Sequence, residues 1–288
     1  MTPEIPRVES TQSIGTRIGE GLDVSGSLGD EPMQRTLDAI DSYTRALGDE
    51  PMHIYAIATS AVRRAQNGAT FAERVRVLVG VPLHVLSGAE EAAASYRGAI
   101  TALAPLHDRR AGVVDIGGGS TEYAIGTAAQ PERTTSCEIG AVRLTEVVPS
   151  LAGNDGIVRR VAIERARERA RAALAPLGTF PIAARVACVG GSATTTVAII
   201  CGKRQEQATF ELTRNDLEHT LALLCSLSLK ERKSVPGMVA QRADILPAGI
   251  ILLDTVLEIL EHESAVVTSA DLLIGYLLQQ RDAGGIAS

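Results

Sequence analysis

The sequence predicts an α/β protein built from two similar units, and three observations carry that prediction. Short apolar runs with strand character recur between stretches whose apolar residues are spaced for helices. Setting aside a helical excursion that starts near Thr213, the second half reads β-β-β-α-β-α-β-α, and its last five members repeat the α-β-α-β-α order of the first half. Finally, 288 residues with 45% hydrophobic and 22% charged content suffice for two modest cores without disulfide or metal staples.

The elements follow in order. Leu37, Ile40, Tyr43 and Leu47 lie on one helical face between Glu31 and Leu47. Ile54, Ala56 and Ala58 alternate as a short strand ending at Thr59-Ser60. A helix with Phe71, Val75 and Leu78 leads to a strand from Val81 to Leu86, and Ser87 opens a helix through Tyr96, Ile100 and Leu103. The second segment opens with a buried strand, Gly112 to Asp115, turns through Gly117-Gly118-Gly119 and returns as Thr121 to Gly126. A third strand runs near Thr134 to Glu138, and Gly140 opens a helix. After Gly153-Asn154-Asp155-Gly156 an Ala/Arg-rich helix extends to about Leu177. Strand Arg185 to Val189 leads through Gly190-Gly191 into helix Ala193 to Cys201. Thr213 caps the helical excursion, which Pro236-Gly237 breaks. A helix from Gln241 to Leu260, a strand from Ser264 to Thr268 and a helix from Asp271 to Gln280 complete the pattern. If the units were alike, the first would also begin with a strand, a glycine turn and a returning strand. Arg7 to Thr11 is a candidate for the third of these strands, but no Asp-x-Gly turn precedes it.

Composition excludes several functions. Lys plus Arg number 28 against 34 Asp plus Glu, a net charge of −6, so no global basic field attracts DNA or an acidic membrane. Aromatics are 3% with no Trp, which leaves few rings for stacking bases. Lys203, Lys230 and Lys233 are the only lysines, so neither a Walker-A nor a Schiff-base lysine lies in the first 202 residues. Cys137, Cys188, Cys201 and Cys225 form no C-x-x-C pair and read as core thiols in a reducing compartment. His53, His84, His107, His219 and His262 lack zinc-ligand spacing and read as surface or helix-end residues. The first ten residues have no apolar signal-peptide core, and the longest uncharged run, Val186 to Gly202, is too short to span a bilayer. A cytoplasmic protein is the expectation.

Chemistry concentrates in a few motifs. In Val113-Val114-Asp115-Ile116-Gly117-Gly118-Gly119-Ser120-Thr121-Glu122 a buried strand delivers a carboxylate to its end, and three glycines let backbone N–H groups face outward. That suits a phosphate beside a hydrated divalent cation, and it also fits an ordinary glycine hairpin. A strand follows the loop, so it is not a Rossmann turn. Val189-Gly190-Gly191-Ser192 turns a strand into a helix N-terminus, which favours an anion or simply tight packing. Ser87 and Glu90 have capping-box spacing, which gives Glu90 a structural duty and leaves Glu91 as the better candidate to hold a water. Arg63, after a strand end, and Arg242, near a helix start, suit phosphate oxygens or surface ion pairs.

Together these segments resemble the exopolyphosphatase and guanosine pentaphosphate phosphohydrolase (Ppx/GppA) family. The matching stretches are Ala58 to Asn67, Leu86 to Ala99, Val114 to Glu122, Gly140 to Glu146, Val189 to Thr195 and Arg242 to Gly249. The resemblance implies two ribonuclease-H-like domains of the actin-like ATPase superfamily, residues 1–110 and 111–288, with the first N-terminally incomplete. It implies Mg²⁺-dependent hydrolysis of terminal phosphoanhydrides, with polyphosphate or guanosine pentaphosphate as ligand; the charge balance already set aside DNA and membrane as partners. Carried over by motif position, Glu91 activates the attacking water, Asp115 holds the metal and Glu122 supports it. Gly117, Gly118, Gly119, Ser120, Arg63 and Arg242 bind phosphate. Two departures stand out. The family's first phosphate hairpin is absent and is expected upstream of Met1, and Leu272-Leu273-Ile274-Gly275 stands where the family has Leu-Arg-Glu-Gly. The absent hairpin leaves the Ile54 to Ala58 strand with an unpaired edge, a route to a homodimer. It also motivates an alternative, a non-catalytic polyphosphate- or alarmone-binding regulatory protein. The helical domain that longer members carry after this core is absent as well.

Overall fold

The structure is a computed structural model that describes residues 8–47, 52–103, 109–127, 130–154, 156–203 and 209–284. Arg7, His107 and Asp155 therefore lie outside the described residues. The chain divides into two compact units, Arg7–Glu90 and Glu91–Ser288, with Met1–Pro6 grouped with the latter. The division falls inside a helix, upstream of the 110/111 boundary drawn from the sequence.

The first unit contains α1 (Leu22–Ser25), α2 (Asp30–Ala46), β1 (Ala56–Ala58), α3 (Ser60–Arg64), α4 (Gly68–Val79) and β2 (Leu83–Val85). β1 and β2 pair in parallel, Ala56 opposite Leu83 and Ala58 opposite Val85. Leu28, Met33, Leu37, Val62, Phe71 and Val75 form the core, which is the helical spacing of α2 and α4 closing on the strands. Asn67 ties the preceding loop down: its Oδ1 accepts from the Leu28 amide at 2.8 Å and its Nδ2 donates to the Leu28 carbonyl at 2.9 Å. Among the described residues β1 pairs only with β2, and residues 8–11 form no strand, so the third-strand reading of Arg7 to Thr11 is not realised where it is described.

α5 (Gly88–Ile100) starts in the first unit and continues into the second. There follow β3 (Ala111–Ile116), β4 (Thr121–Gly126), β5 (Arg133–Cys137), α6 (Ala141–Val147), α7 (Arg160–Leu174), β6 (Arg185–Val189), α8 (Gly191–Ile200), β7 (Phe210–Thr213), α9 (Arg214–Cys225), α10 (Leu229–Arg232), α11 (Leu246–Ile259), β8 (Ser264–Val267) and α12 (Leu272–Asp282). The six strands lie in the order β5-β4-β3-β6-β8-β7. β3 is antiparallel to β4 and parallel to β6. Its side chains alternate between faces: Val114 and Ile116 enter the large core with α7, α8, α9 and α11, whereas Ala111 and Val113 meet Ala92, Tyr96 and Ala99 of α5. That second face also receives Ala124, Ala187 and Val189.

Three expectations are corrected. β7 was not foreseen; it is an antiparallel edge strand of four residues whose alternation rests on only Phe210 and Leu212, too short a run to stand out. The helix expected from Gln241 begins only at Leu246, after a short 3-10 turn, because Pro247 in its first turn has no N–H to continue a preceding helix. The Ala/Arg-rich helix ends at Leu174 and tightens into a 3-10 turn that contains Pro176. The Thr213 cap is realised, its Oγ1 accepting from the Asp216 amide while Asp216 accepts from the Thr213 amide. No helix among the described residues is long and apolar enough to cross a membrane.

Arg232 is fully buried and acts as a clamp in the large core. Its Nε donates to the Leu224 carbonyl at 2.6 Å, and its Nη1 donates to the Leu151 and Ala152 carbonyls at 2.9 and 3.1 Å. Arg232→Met would leave the buried Leu151 and Ala152 carbonyls without donors, the Leu224 carbonyl keeping the Leu227 amide, so urea unfolding is expected to show a loss of roughly 2 kcal/mol. An unchanged midpoint would mean that those carbonyls find other donors.

Candidate active site

β3 presents Asp115 one residue before its end, directly opposite Glu122 of β4. Glu122 in turn lies opposite Ser136 of β5. Because paired residues share a face, two carboxylates stand side by side, a pairing that repels. Glu91 of α5 belongs to the same group, since its charge and that of Asp115 both raise the Glu122 pKa. Glu91 and Glu122 are buried, at 4% and 3% exposure. Among the described residues neither Asp115 nor Glu122 has an arginine or lysine partner.

Hydroxyl groups hold the carboxylates instead. Ser95 Oγ donates to Asp115 Oδ2 at 2.6 Å, and Ser136 Oγ donates to Glu122 Oε1 at 2.6 Å. These bonds do not offset the burial. Burial first, and the Asp271 charge after it, push Asp115 up to about 6 against the pull of Ser95. Burial, then Glu91 and Asp115, push Glu122 up to about 8. Asp271 caps α12 by accepting from the Leu273 amide, and burial raises its pKa too.

The loop after β3 is shaped by its neighbour. The Gly117 carbonyl accepts from the Ala141 amide at 3.0 Å, and the Gly118 carbonyl accepts from Val142 and Arg143 at 2.9 and 3.2 Å. The first turn of α6 thus satisfies its orphan N–H groups on the loop's carbonyls. The amides of Gly118 and Gly119 donate to no protein acceptor among the described residues. This close approach requires Gly140, where a Cβ would lie 2.5 Å from the Gly118 carbonyl atoms. Ser120 follows, buried just before the return strand, and its hydroxyl pulls the Glu122 pKa down.

A second glycine turn faces the same carboxylate. Gly190, at φ 89°, passes so near β3 that a Cβ there would lie 2.8 Å from Asp115 Oδ1. The next residue, Gly191, starts α8, and the Arg242 guanidinium occupies the space a side chain there would need. Burial lowers the pKa of Arg242, which stays cationic from so high a starting value. The structure therefore gathers Glu91, Asp115, Glu122, Gly117, Gly118, Gly119, Ser120 and Arg242 in the Glu91–Ser288 unit. Arg63 belongs to the other unit, at the end of α3, with its Nη1 donating to the Leu86 carbonyl at 2.6 Å. Glu90 makes the expected capping box, accepting from the Ser87 amide at 2.7 Å.

Ser95, Ser136 and Asp271 were not singled out in the sequence. Ser95 lies four residues after Glu91, on the same helix face, which is the one signal that pointed to it. Ser136 becomes visible only through strand register.

Among the described residues no three His, Cys, Asp or Glu side chains are grouped so as to hold a metal ion by themselves. One or two carboxylates with water and phosphate oxygens are, however, the way Mg²⁺ is ordinarily held, and two facing carboxylates without a cationic partner fit that role.

Comparison with known proteins follows from this geometry. The model of the Ppx/GppA phosphatase family matches residues 5–277. A guanosine-5'-triphosphate,3'-diphosphate pyrophosphatase of Vibrio parahaemolyticus is 29% identical over 270 residues, which cover 92% of this chain and 52% of that protein. The chain thus spans about half the length of the curated relatives it matches. The crystal structure of a Ppx/GppA family member from Aquifex aeolicus superposes with a TM-score of 0.75 at 25% identity, over 94% of this chain and 88% of that one. An exopolyphosphatase from Cytophaga hutchinsonii gives a TM-score of 0.79 at 26% identity, over 92% and 87%. These likenesses bear out the α/β fold that the sequence resemblance implied.

The raised carboxyls give a pH test. Glu122 has a folded pKa of about 8 against an ordinary 4.5, so the folded chain holds this proton more tightly than the unfolded one. Stability from this group is full below about 4.5 and declines as pH rises toward 8. In EDTA at pH 9, Glu122→Gln is expected to raise the melting temperature by roughly 3 °C or more over the parent, with the gap closing near pH 4.5. A pH-independent difference in calorimetry would contradict the assignment.

Proposed function

The chain belongs to the Ppx/GppA phosphatase family, and on that premise we propose that it hydrolyses terminal phosphoanhydride bonds of inorganic polyphosphate or guanosine pentaphosphate. One observation carries the reading. A loop whose Gly118 and Gly119 amides point to no protein acceptor ends the same strand that brings Asp115 against Glu122.

The Gly118 and Gly119 amides take oxygens of the terminal phosphate, as oriented N–H groups do in oxyanion sites, while the Gly117 amide closes the turn by donating to the Ser120 carbonyl at 3.0 Å. Arg242, beside the α8 N-terminus, adds a cation and a helix end for a further phosphate oxygen. Glu91 accepts the proton of a water whose oxygen attacks the terminal phosphorus. The anhydride P–O bond breaks and its electron pair leaves with the shortened chain or nucleotide. Asp115 and Glu122 would hold Mg²⁺, which when bound offsets negative charge on the phosphoryl oxygens. A buried carboxylate with few water contacts suits a base that must direct one water rather than equilibrate with bulk solvent.

A second reading has its own observation. The sheet of the first unit has two strands among the described residues, and residues 1–90 contain no Asp-x-Gly turn. On this reading the Gly118–Gly119 loop binds polyphosphate or an alarmone without cleaving it.

One assay separates the two. Phosphate release from polyphosphate and from guanosine pentaphosphate is measured with Mg²⁺, alongside calorimetric binding. Hydrolysis is expected, and Glu91→Gln is expected to lower kcat by about 10²–10⁴-fold while binding persists. Binding without turnover in the parent chain would favour the regulatory reading, and neither binding nor turnover would end both.

A further inference from the structure

We propose that Ser95 is a positioning residue that aims Asp115 at the divalent cation, an inference that rests on the metal-assisted reading above. Ser95 is 1% exposed, and its hydroxyl donates to Asp115 Oδ2 at 2.6 Å. The other oxygen, Oδ1, faces the Gly190 turn. One carboxylate oxygen is therefore held by a helix and the other is confined by a strand-to-helix turn, so the group has little freedom to rotate.

The origin of the hydroxyl matters. Ser95 sits four residues after Glu91 on α5, so both project from one side of the helix. Around it α5 carries Ala92 and Ala99, both fully buried, and these short side chains let the helix lie close to β3. An alanine at position 95 would serve that packing equally well. The oxygen is what distinguishes serine there, and its hydrogen bond goes to the carboxylate. The same bond joins the helix bearing the water-holding Glu91 to the strand bearing the cation-holding Asp115, so the two groups keep one relative placement.

Partners behind a metal ligand typically change metal affinity or activity by about 10–100-fold when removed. Ser95→Ala should fold, because it deletes one buried oxygen and leaves an alanine in a helix. Mn²⁺ binding, followed by electron paramagnetic resonance in the presence of inorganic phosphate and without substrate, is the direct readout. Ser95→Ala is expected to weaken the Mn²⁺ Kd by about tenfold. Ser95→Cys, close in size but a weak donor, is expected to fall between. In turnover, the Mg²⁺ concentration for half-maximal rate should rise by a similar factor, while kcat at saturating Mg²⁺ changes less than threefold. A purely packing role would leave the Mn²⁺ Kd of Ser95→Ala at the parent value, and that result overturns the assignment of Ser95 alone. A parent chain that binds no Mn²⁺ would instead overturn the metal reading and this inference with it.

Discussion

The site depends on the contact between the first turn of α6 and the carbonyls of Gly117 and Gly118. A chain reversal after a buried strand ordinarily turns some carbonyls and some amides to each side. Here α6 donates three N–H groups to the Gly117 and Gly118 carbonyls, while the Gly118 and Gly119 amides have no protein acceptor among the described residues. The contact is possible because residue 140 is glycine. It also consumes the positive end of α6, which is therefore a structural support rather than an anion site. The free helix end is that of α8, and Arg242 lies over it.

Next to this cradle the structure carries a cost. Glu91 and Asp115 each repel Glu122, Asp271 repels Asp115, and the hydroxyls of Ser95, Ser120 and Ser136 lower the energy only in part. Packing alone would place an apolar residue at each position, since Val113 and Ala124 two residues away on the same strands belong to the α5-side core. Groups strained in this way by burial and like charge concentrate at functional sites. The carboxylates end the face that α5 covers, so the core provides the dry wall and the loop provides the donors. Rigidity comes from the opposite face, where Val114, Ile116 and Tyr123 pack with α7, α8 and α11, and where Arg232 ties the backbone of three residues together.

Much of this was legible in the sequence, and the reasons differ by residue. β3, β4 and β6 were placed within about a residue because they are buried on both faces and bounded by glycine turns. Glu90 and Glu91 were separable because Ser87 occupies the capping position for one and not the other. β7 was illegible because its alternation, Phe210 and Leu212, spans only four residues, as short edge strands do. The start of α11 was misjudged because apolar spacing continues through a turn that only hydrogen bonding distinguishes.

By itself the sequence determined which residues end buried strands, which turns demand glycine and which acidic residue is free of a capping duty, because these follow from local sterics and periodicity. Tertiary structure decided that Ser95, Ser136 and Asp271 meet the carboxylates, that Arg242 lies over Gly191, and that the α6 N-terminus takes the loop's carbonyls. Those pairings join residues from different helices and strands. Strand register and helix packing set them, and no local pattern encodes such long-range neighbours.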